Sequence, residues 1–381
     1  MKTIYFDYNA TTPLDPAVRE AMLPYLGEIF GNPSSVHHVG RLARALLDDA
    51  RDRVASVWRA KPSEVVFTSG GTESTNLAIF GAARKLSHKG RHLITSTIEH
   101  HAVLDCMQYL ARREDFEVTY LPANAEGIVS PDDLKNAIRP DTTLVSIMSA
   151  NNETGSVQPV PLLGEICRSR GVLFHTDAVQ SFGKQPFEDI HQFNADLVSV
   201  CAHKFHGPKG AGALFIKSPL LPDPIIFGGG HENERRAGTE NLAGIIGMAE
   251  ATELYVKKPV FQSETLSPMT ARLIAFVESL EAVHFRGSLQ NRLCNTLAFT
   301  VDGCDSISLL AGLDMEGICA SSGSACSAGS LEPSHVMSAM GVDKNSANSL
   351  VRFSLGRDTT MEEVQIVEAV LKNVINRVLH H

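Results

Sequence analysis

From about residue 60 to residue 216 the chain alternates short apolar runs with stretches of helical period. The runs are EVVFTS, HLITSTIE, FEVTYL, TTLVSIMSA, GVLFHTDA, DLVSVCA and GALFIK, each of strand length and rich in Val, Ile, Leu and Phe on both faces. A strand apolar on both faces belongs in a mostly parallel sheet covered by helices on either side, so the pattern predicts a doubly wound α/β domain. Helix signals lie between the runs: Ser130 is placed to cap and Pro131 to occupy the first helical position. Over 41–58, Leu42, Ala45, Leu46, Val54 and Trp58 fall near helical spacing and predict a helix turned to the core through them. Past a helix ending near Tyr255, the stretch KKPVFQSETLSP reads as a polar domain connection. A second, smaller α/β unit is expected beyond it, closing with an amphipathic helix from Thr360 to Leu379. There is no internal repeat, and His380 and His381 carry no assigned role.

The length of 381 residues, at about 150 per domain, suggests two or three domains. With 43% hydrophobic and 20% charged residues, the chain reads as an ordinary folded protein able to bury a large core. Lys and Arg number 34 against 43 Asp and Glu, a net charge of −9 without a dense basic block, which argues against a dedicated nucleic-acid surface. Small molecules or proteins are the expected partners. No apolar run approaches the roughly 20 residues that span a bilayer, and MKTIYFDYNATTPLD lacks the apolar segment of a secretion signal, so a cytoplasmic protein without membrane attachment is expected. Seven cysteines (106, 167, 201, 294, 304, 319 and 326) are scattered without CxxC pairing, which argues against a disulfide framework.

Ligands of open α/β sheets bind beyond the carboxyl ends of the strands, and five such ends carry polar residues. In FTSGGTESTNLA, Gly70, Gly71 and Thr72 open a helix where free N–H groups and a hydroxyl suit a phosphate; an ordinary glycine turn accounts for the stretch equally well. In GVLFHTDAVQSFGK, Asp177 ends a buried strand, where a carboxylate asks for a cationic partner such as a protonated pyridine nitrogen, or simply caps a helix. Gln180 lies one turn on. In DLVSVCAHKFHGPKGAGAL, Lys204 follows a buried strand among His203, His206 and Gly207; a desolvated lysine forms a Schiff base with an aldehyde, although most lysines are solvated surface charges. Phosphate loop, strand-end Asp and later strand-end Lys on one sheet are together what pyridoxal 5'-phosphate requires: anchor, electron-sink partner and imine donor.

The fourth end, TSTIEHHAVLD, offers His100 and His101, for stacking on a flat ring and moving protons or for a structural helix start. The fifth, MSANNETG, offers Asn151 and Asn152, as hydrogen bonders to ligand or as caps. Within the smaller unit, ICASSGSACSAGSLEPSHV surrounds Cys326 with small, hydroxyl-bearing residues, the setting of an exposed nucleophilic thiol rather than a core cysteine. SLVRFSLGRD sets Arg352 in an apolar run, where a guanidinium needs an anion: a substrate carboxylate, or a structural ion-pair partner.

In YFDYNATTP, GNPSSVH, TSGGTESTNLA, EHHAVL, NNETG, HTDAVQ, AHKFHGPKG, RRAGTEN, SSGSAC and RFSLGR, in that order over nearly the whole chain, the sequence resembles the pyridoxal-phosphate-dependent cysteine desulfurases of the nitrogen-fixation and iron–sulfur-cluster type, within the class V aminotransferases. The resemblance implies the fold type I of pyridoxal-phosphate transferases, with a mostly parallel seven-stranded sheet in a large domain of residues 15–255. A small domain of residues 1–14 and 256–381 would carry the cysteine loop.

It further implies that Lys204 bonds the cofactor as an imine, Asp177 pairs with its ring nitrogen, His100 stacks on the ring and moves protons, and Gln180 bonds the phenolic oxygen. Gly71, Thr72 and His203 would hold the phosphate, with Cys201 at a position where the family commonly has serine, a stronger donor. Thr239 would reach the phosphate of a neighbouring subunit, making the protein a homodimer. Asn152 and Arg352 would orient the substrate L-cysteine, Arg352 by its carboxylate. Cys326 would take the sulfur as a persulfide, release L-alanine and pass sulfur to an acceptor protein such as an iron–sulfur scaffold; no metal site is implied beyond a transient cluster ligand at Cys326. The separation of Cys326 from Arg352 fits the long-loop group rather than the selenocysteine-lyase-like group. Glu234 stands where glycine is usual, and the chain ends soon after its last helix where scaffold-docking members carry a longer tail. A same-fold aminotransferase or selenocysteine lyase would keep Lys204 and Asp177 without needing Cys326, and a non-catalytic scaffold would need neither Lys204 nor Cys326.

Overall fold

A computed structural model describes residues 3–323 and 333–379. Its largest sheet has seven strands, in the order Val65–Thr68, Gly212–Ile216, Leu197–Cys201, Leu173–Asp177, Thr142–Ser146, His92–Ser96 and Glu117–Leu121. Gly212–Ile216 is antiparallel to both its neighbours, and the remaining adjacent pairs are parallel. The sheet is therefore mostly parallel, as the doubly apolar runs required. Glu117–Leu121 sits at the edge and is largely open to solvent, which explains why FEVTYL alone among the runs alternates polar with apolar positions.

Helices cover both faces. One core runs from Val18 through Trp58, Phe174 and Phe215 to Val256, and Trp58 meets Phe182 and Phe215 edge to face. A second core gathers Ile4, Phe6 and Tyr8 with residues between Val260 and Ile375, around an antiparallel sheet of Val283–Arg286, Thr296–Val301 and Val351–Ser354. The start of the chain thus packs with its end, and Ile4–Tyr5 pairs in parallel with Ile318–Cys319. No helix among the described residues is long and apolar enough to cross a membrane.

Two expectations need correction. The helix His38–Trp58 exists, but its buried face is Ala43, Leu47, Ala50, Val54 and Trp58, whereas Leu42 and Ala45 are exposed. Small alanines let this helix lie close against Leu242–Tyr255, so Ala43 and Ala50 serve as core where the larger Leu42 suggested otherwise. The stretch after Tyr255 is not simply polar: Val260 and Phe261 enter the second core, and a helix begins at Ser263 with Pro268 inside it. That proline removes one backbone hydrogen bond, which the packing of Leu266, Met269 and Leu273 offsets. The closing helix, Met361–Leu379, follows expectation.

Candidate active site

Because six of the seven strands run one way, their carboxyl ends open onto a common cavity of about 260 Å³. One corner is built for an anion. The helix Gly71–Leu86 starts from Gly70 without a side-chain cap of its own, and its positive end faces the cavity, with the Gly71 N–H against the Cys201 sulfur. A Cβ at Gly71 would lie 2.7 Å from Val179 Cγ2, so only glycine brings this backbone so close to the cavity. Thr72, Cys201 and His203 line the same corner. The Cys201 thiol donates to Ala211 O at 3.7 Å, away from the corner, and burial raises its pKa. His203 is neutral, its pKa lowered to about 4 by burial and by Lys204.

Lys204 stands at the centre. Its Nζ donates to Asn9 O at 2.7 Å and to Ala10 O at 2.9 Å, acceptors that hold the amine without a counter-charge. Loss of water brings its pKa from 10.5 down to about 8. Across from it, Asp177 ends its strand with Oδ1 accepting from Val179 N at 2.9 Å, the one hydrogen bond its carboxylate has among the described residues. Burial raises Asp177 to about 6, against the opposing pull of Val179 N–H and Lys204. His100 caps the helix His101–Arg113, its Nδ1 accepting from Ala102 N at 3.1 Å. Burial and the nearby Lys204 lower its pKa to about 4, so the ring is neutral with its hydrogen on Nε2.

Gln180 is fixed at both ends of its amide: Nε2 donates to Asn9 O at 2.9 Å, and Oε1 accepts from Lys184 Nζ at 2.8 Å. One Nε2 hydrogen is left for the cavity. At the far wall Arg352, 2% exposed, donates from Nη2 to Asp7 Oδ1 at 2.6 Å and from Nη1 to Asn152 O and Gly323 O. Its buried Nε has no partner among the described residues. The ion-pair reading of this arginine is realised with Asp7. The Asn152 side chain makes no hydrogen bond among the described residues and lines the cavity.

Gly71, Thr72, His100, Asn152, Asp177, Gln180, Cys201, His203, Lys204 and Arg352 thus meet in one cavity. Thr239 does not; it is exposed. Cys326 lies outside the described residues. Asn151 is a turn former, its Nδ2 on Ile98 O and its Oδ1 accepting from Glu153 N and Thr154 N; no helix starts there, so it caps a turn rather than the expected helix. His101 turns to His335, ring centres 4.8 Å apart. Sequence reasoning missed Asn9, Asp7 and Lys184. The first two stand in YFDYNATTP, a segment without strand-end context; Lys184 follows Gln180 by one turn, a spacing that was its only signal.

The class-V aminotransferase model matches residues 4–367. The chain belongs to this family. It is 48% identical to the cysteine desulfurase IscS of Dictyoglomus turgidum, over 99% of this chain and 95% of that one. It is 46% identical to the IscS of Methanosarcina thermophila, over 99% and 93%. Among solved structures, a NifS-like protein superposes with a TM-score of 0.90 at 36% identity over the whole of both chains. SspA in complex with cysteine gives 0.80 at 36% identity, over 94% of this chain and 100% of that one. The class V aminotransferase has its place among the cysteine desulfurases, a family of pyridoxal-phosphate enzymes with this fold type I sheet.

Proposed function

We propose that this enzyme binds pyridoxal phosphate in the strand-end cavity, converts L-cysteine to L-alanine and carries the released sulfur as a persulfide on Cys326. The observation that carries the reading is the juxtaposition, in one cavity, of a desolvated lysine, a buried carboxylate and an arginine whose buried Nε has no partner among the described residues.

The residues fit the cofactor. The Gly71 corner, where a Cβ would clash, supplies backbone donors for the phosphate, helped by Thr72 and His203. Asp177 supplies the buried anion for a protonated ring nitrogen, the Nε2 hydrogen of Gln180 suits a ring oxygen, and Lys204 supplies the amine for the aldehyde. When bound, the cofactor withdraws electrons from the carbon atoms of the amino acid attached to it.

The protein's own groups do the rest. Arg352 would orient the substrate carboxylate from the cavity wall, its guanidinium fixed by Asp7. Asn152 offers its free amide beside it. The desolvated Nζ of Lys204 would hold and return a proton, and neutral His100 would donate from Nε2. The Cys326 thiolate attacks the substrate sulfur: an S–S bond forms, the Cβ–S bond breaks, and its electron pair stays with carbon and takes a proton to become the methyl group of alanine. No external oxidant is needed.

Exposed Thr239 would complete the phosphate site of a second subunit in a homodimer, and an acceptor protein such as an iron–sulfur scaffold would collect the sulfur in the cytoplasm. Residues 15–255 would form the cofactor-binding domain, and residues 1–14 with 256–381 the domain that brings Cys326. The deciding experiment compares alanine formation from L-cysteine with reductant in wild type, Lys204→Ala and Cys326→Ala. Turnover in wild type alone, with Cys326→Ala still yellow, is the expected result; full activity in Cys326→Ala would eliminate the persulfide route.

A further inference from the structure

A lysine sealed behind the cavity wall has no task in the reaction above. Lys184 is 3% exposed, and its Nζ donates to Gln180 Oε1 at 2.8 Å and to Asn9 Oδ1 at 2.7 Å. The Phe261 ring lies 5.1 Å from the same nitrogen. No carboxylate bonds it among the described residues. Burial first, and then the like charges of Lys204 and Arg352, hold its pKa well below the ordinary lysine value, with Cys294 and Asp7 opposing them. An amine buried in this way is costly, and an apolar side chain of the same length would avoid the cost. What the position gains from lysine is its two hydrogen bonds.

Those bonds decide which way the Gln180 amide points. An amide has an oxygen that only accepts and an NH2 that only donates. Charged or neutral, the Lys184 amine has hydrogens enough for both of its oxygen partners, and one of them meets Gln180 Oε1. The Asn9 carbonyl can only accept, and it takes a hydrogen from Gln180 Nε2 at 2.9 Å. In the reversed amide Oε1 would face that carbonyl, acceptor against acceptor, and Lys184 would lose an oxygen to bond. The orientation present gives the cavity, which Gln180 lines, the second Nε2 hydrogen rather than a lone pair.

Resting on the reading that pyridoxal phosphate occupies this cavity with its ring oxygen at Gln180, we infer that Lys184 is a positioning residue: by bonding Gln180 Oε1 from behind the wall, it holds the amide with its free N–H toward the cavity and so supports negative charge on that ring oxygen.

The test uses the full-length enzyme loaded with pyridoxal phosphate, as wild type, Lys184→Met, Lys184→Leu, Gln180→Ala and the double variant of Gln180→Ala with Lys184→Met. Asn295 still donates to Asn9 Oδ1 in the lysine variants, so the group left unmet is Gln180 Oε1; two apolar replacements are made so that one remains if the other does not fold. The readout is the pH at which the visible absorbance of the bound cofactor changes, recorded without substrate. A donor on the ring oxygen stabilises its anionic form and lowers that pH. Gln180→Ala should raise it by about one unit, and Lys184→Met and Lys184→Leu by about half a unit or more. In the Gln180→Ala background Lys184→Met should add nothing, because a residue that acts through another loses its effect when the other is gone.

A wild-type midpoint in the lysine variants overturns the proposal. So does an equal shift from Lys184→Met with and without Gln180, the mark of a buried charge acting on the cofactor directly, and so does failure of both lysine variants to fold, the mark of a merely structural residue. Wild type that takes up no pyridoxal phosphate would end the reading of the cavity itself. An unmoved midpoint in Gln180→Ala would end the contact of Gln180 with the ring oxygen and the positioning role with it, whereas a shift in Gln180→Ala beside none in the lysine variants removes the positioning role alone.

Discussion

At Lys204 the chemistry is set by what the amine lacks. Two carbonyls accept from it, but no carboxylate touches it among the described residues, so its charge is poorly supported and its pKa falls from 10.5 to about 8. A depressed lysine is neutral above its folded value, so capture of pyridoxal phosphate by cofactor-free protein should accelerate as pH rises through about 8 and level off above. Stopped-flow absorbance against pH checks this, and a midpoint near the ordinary lysine value would show that the amine is well solvated. Asp177 runs the opposite way, raised from 3.8 to about 6. A raised acid contributes stability that is complete below its unfolded value and is lost as pH rises through the folded one. Asp177→Asn removes that loss: at about pH 8 the cofactor-free variant should melt no lower than wild type, while its affinity for the cofactor drops by about tenfold or more. A clearly lower melting temperature would mean that the carboxylate is paired in the free protein. These residues were legible because each polar side chain ends an apolar run. Asn9 was not, since its carbonyl meets Gln180 and Lys204 across 171 and 195 positions of sequence, and nothing local marks it.

Among the elements, the sheet was legible and the phase of one helix was not. A strand buried on both faces leaves an unbroken apolar run, and the strands of the large sheet other than Glu117–Leu121 are almost wholly buried. In His38–Trp58 the interior is shared by alanines and by Arg51, whose guanidinium pairs with buried Glu232 at 2.6 Å. A charged residue on the core side cannot be placed without knowing its partner, so the pattern pointed at Leu42 instead. The start of the helix Gly71–Leu86 depends on close packing. Gly71→Ala sets a Cβ 2.7 Å from Val179 Cγ2, the end of a side chain that can give way only partly in so packed a wall. The variant should lose about 1–3 kcal/mol of stability, and its cofactor affinity should fall because the helix start backs away from the phosphate. Thermal melting of the cofactor-free protein with equilibrium titration of the cofactor checks both. Unchanged affinity would remove this helix start from the phosphate site.

For the whole molecule, the question is what couples the two cores across the cavity they share. The answer lies in the segment from Asn9 to Asp15, which leaves the second core at Tyr8 and runs along the lysine loop: Thr12 N donates to His203 O at 3.0 Å and Asp15 N to His206 O at 3.0 Å. Asn9 is the joint. Its Oδ1 accepts from Lys184 at 2.7 Å and from Asn295 at 3.2 Å, and its Nδ2 donates to Thr296 Oγ1 at 2.9 Å and Asn152 O at 3.3 Å. Its backbone N–H bonds Ser354 Oγ at 2.9 Å, and its carbonyl serves Lys204 and Gln180. One residue thus satisfies polar groups from the segments that follow strands of the large sheet and from the antiparallel sheet, and it carries a carbonyl that holds the reactive amine. Asn9→Ala leaves Lys184, fully enclosed and with a depressed pKa, with Gln180 as its remaining acceptor. The expected cost is about 1–3 kcal/mol for the unmet buried groups, read as a lower urea midpoint. A lysine with a depressed folded pKa contributes stability that is present above its unfolded value and lost as pH falls, so a more exposed Lys184 in the variant should also flatten the fall in stability toward acid. A variant with the wild-type midpoint and the wild-type acid slope would mean that the two cores are coupled elsewhere, through the pairing of Arg357 with Asp15.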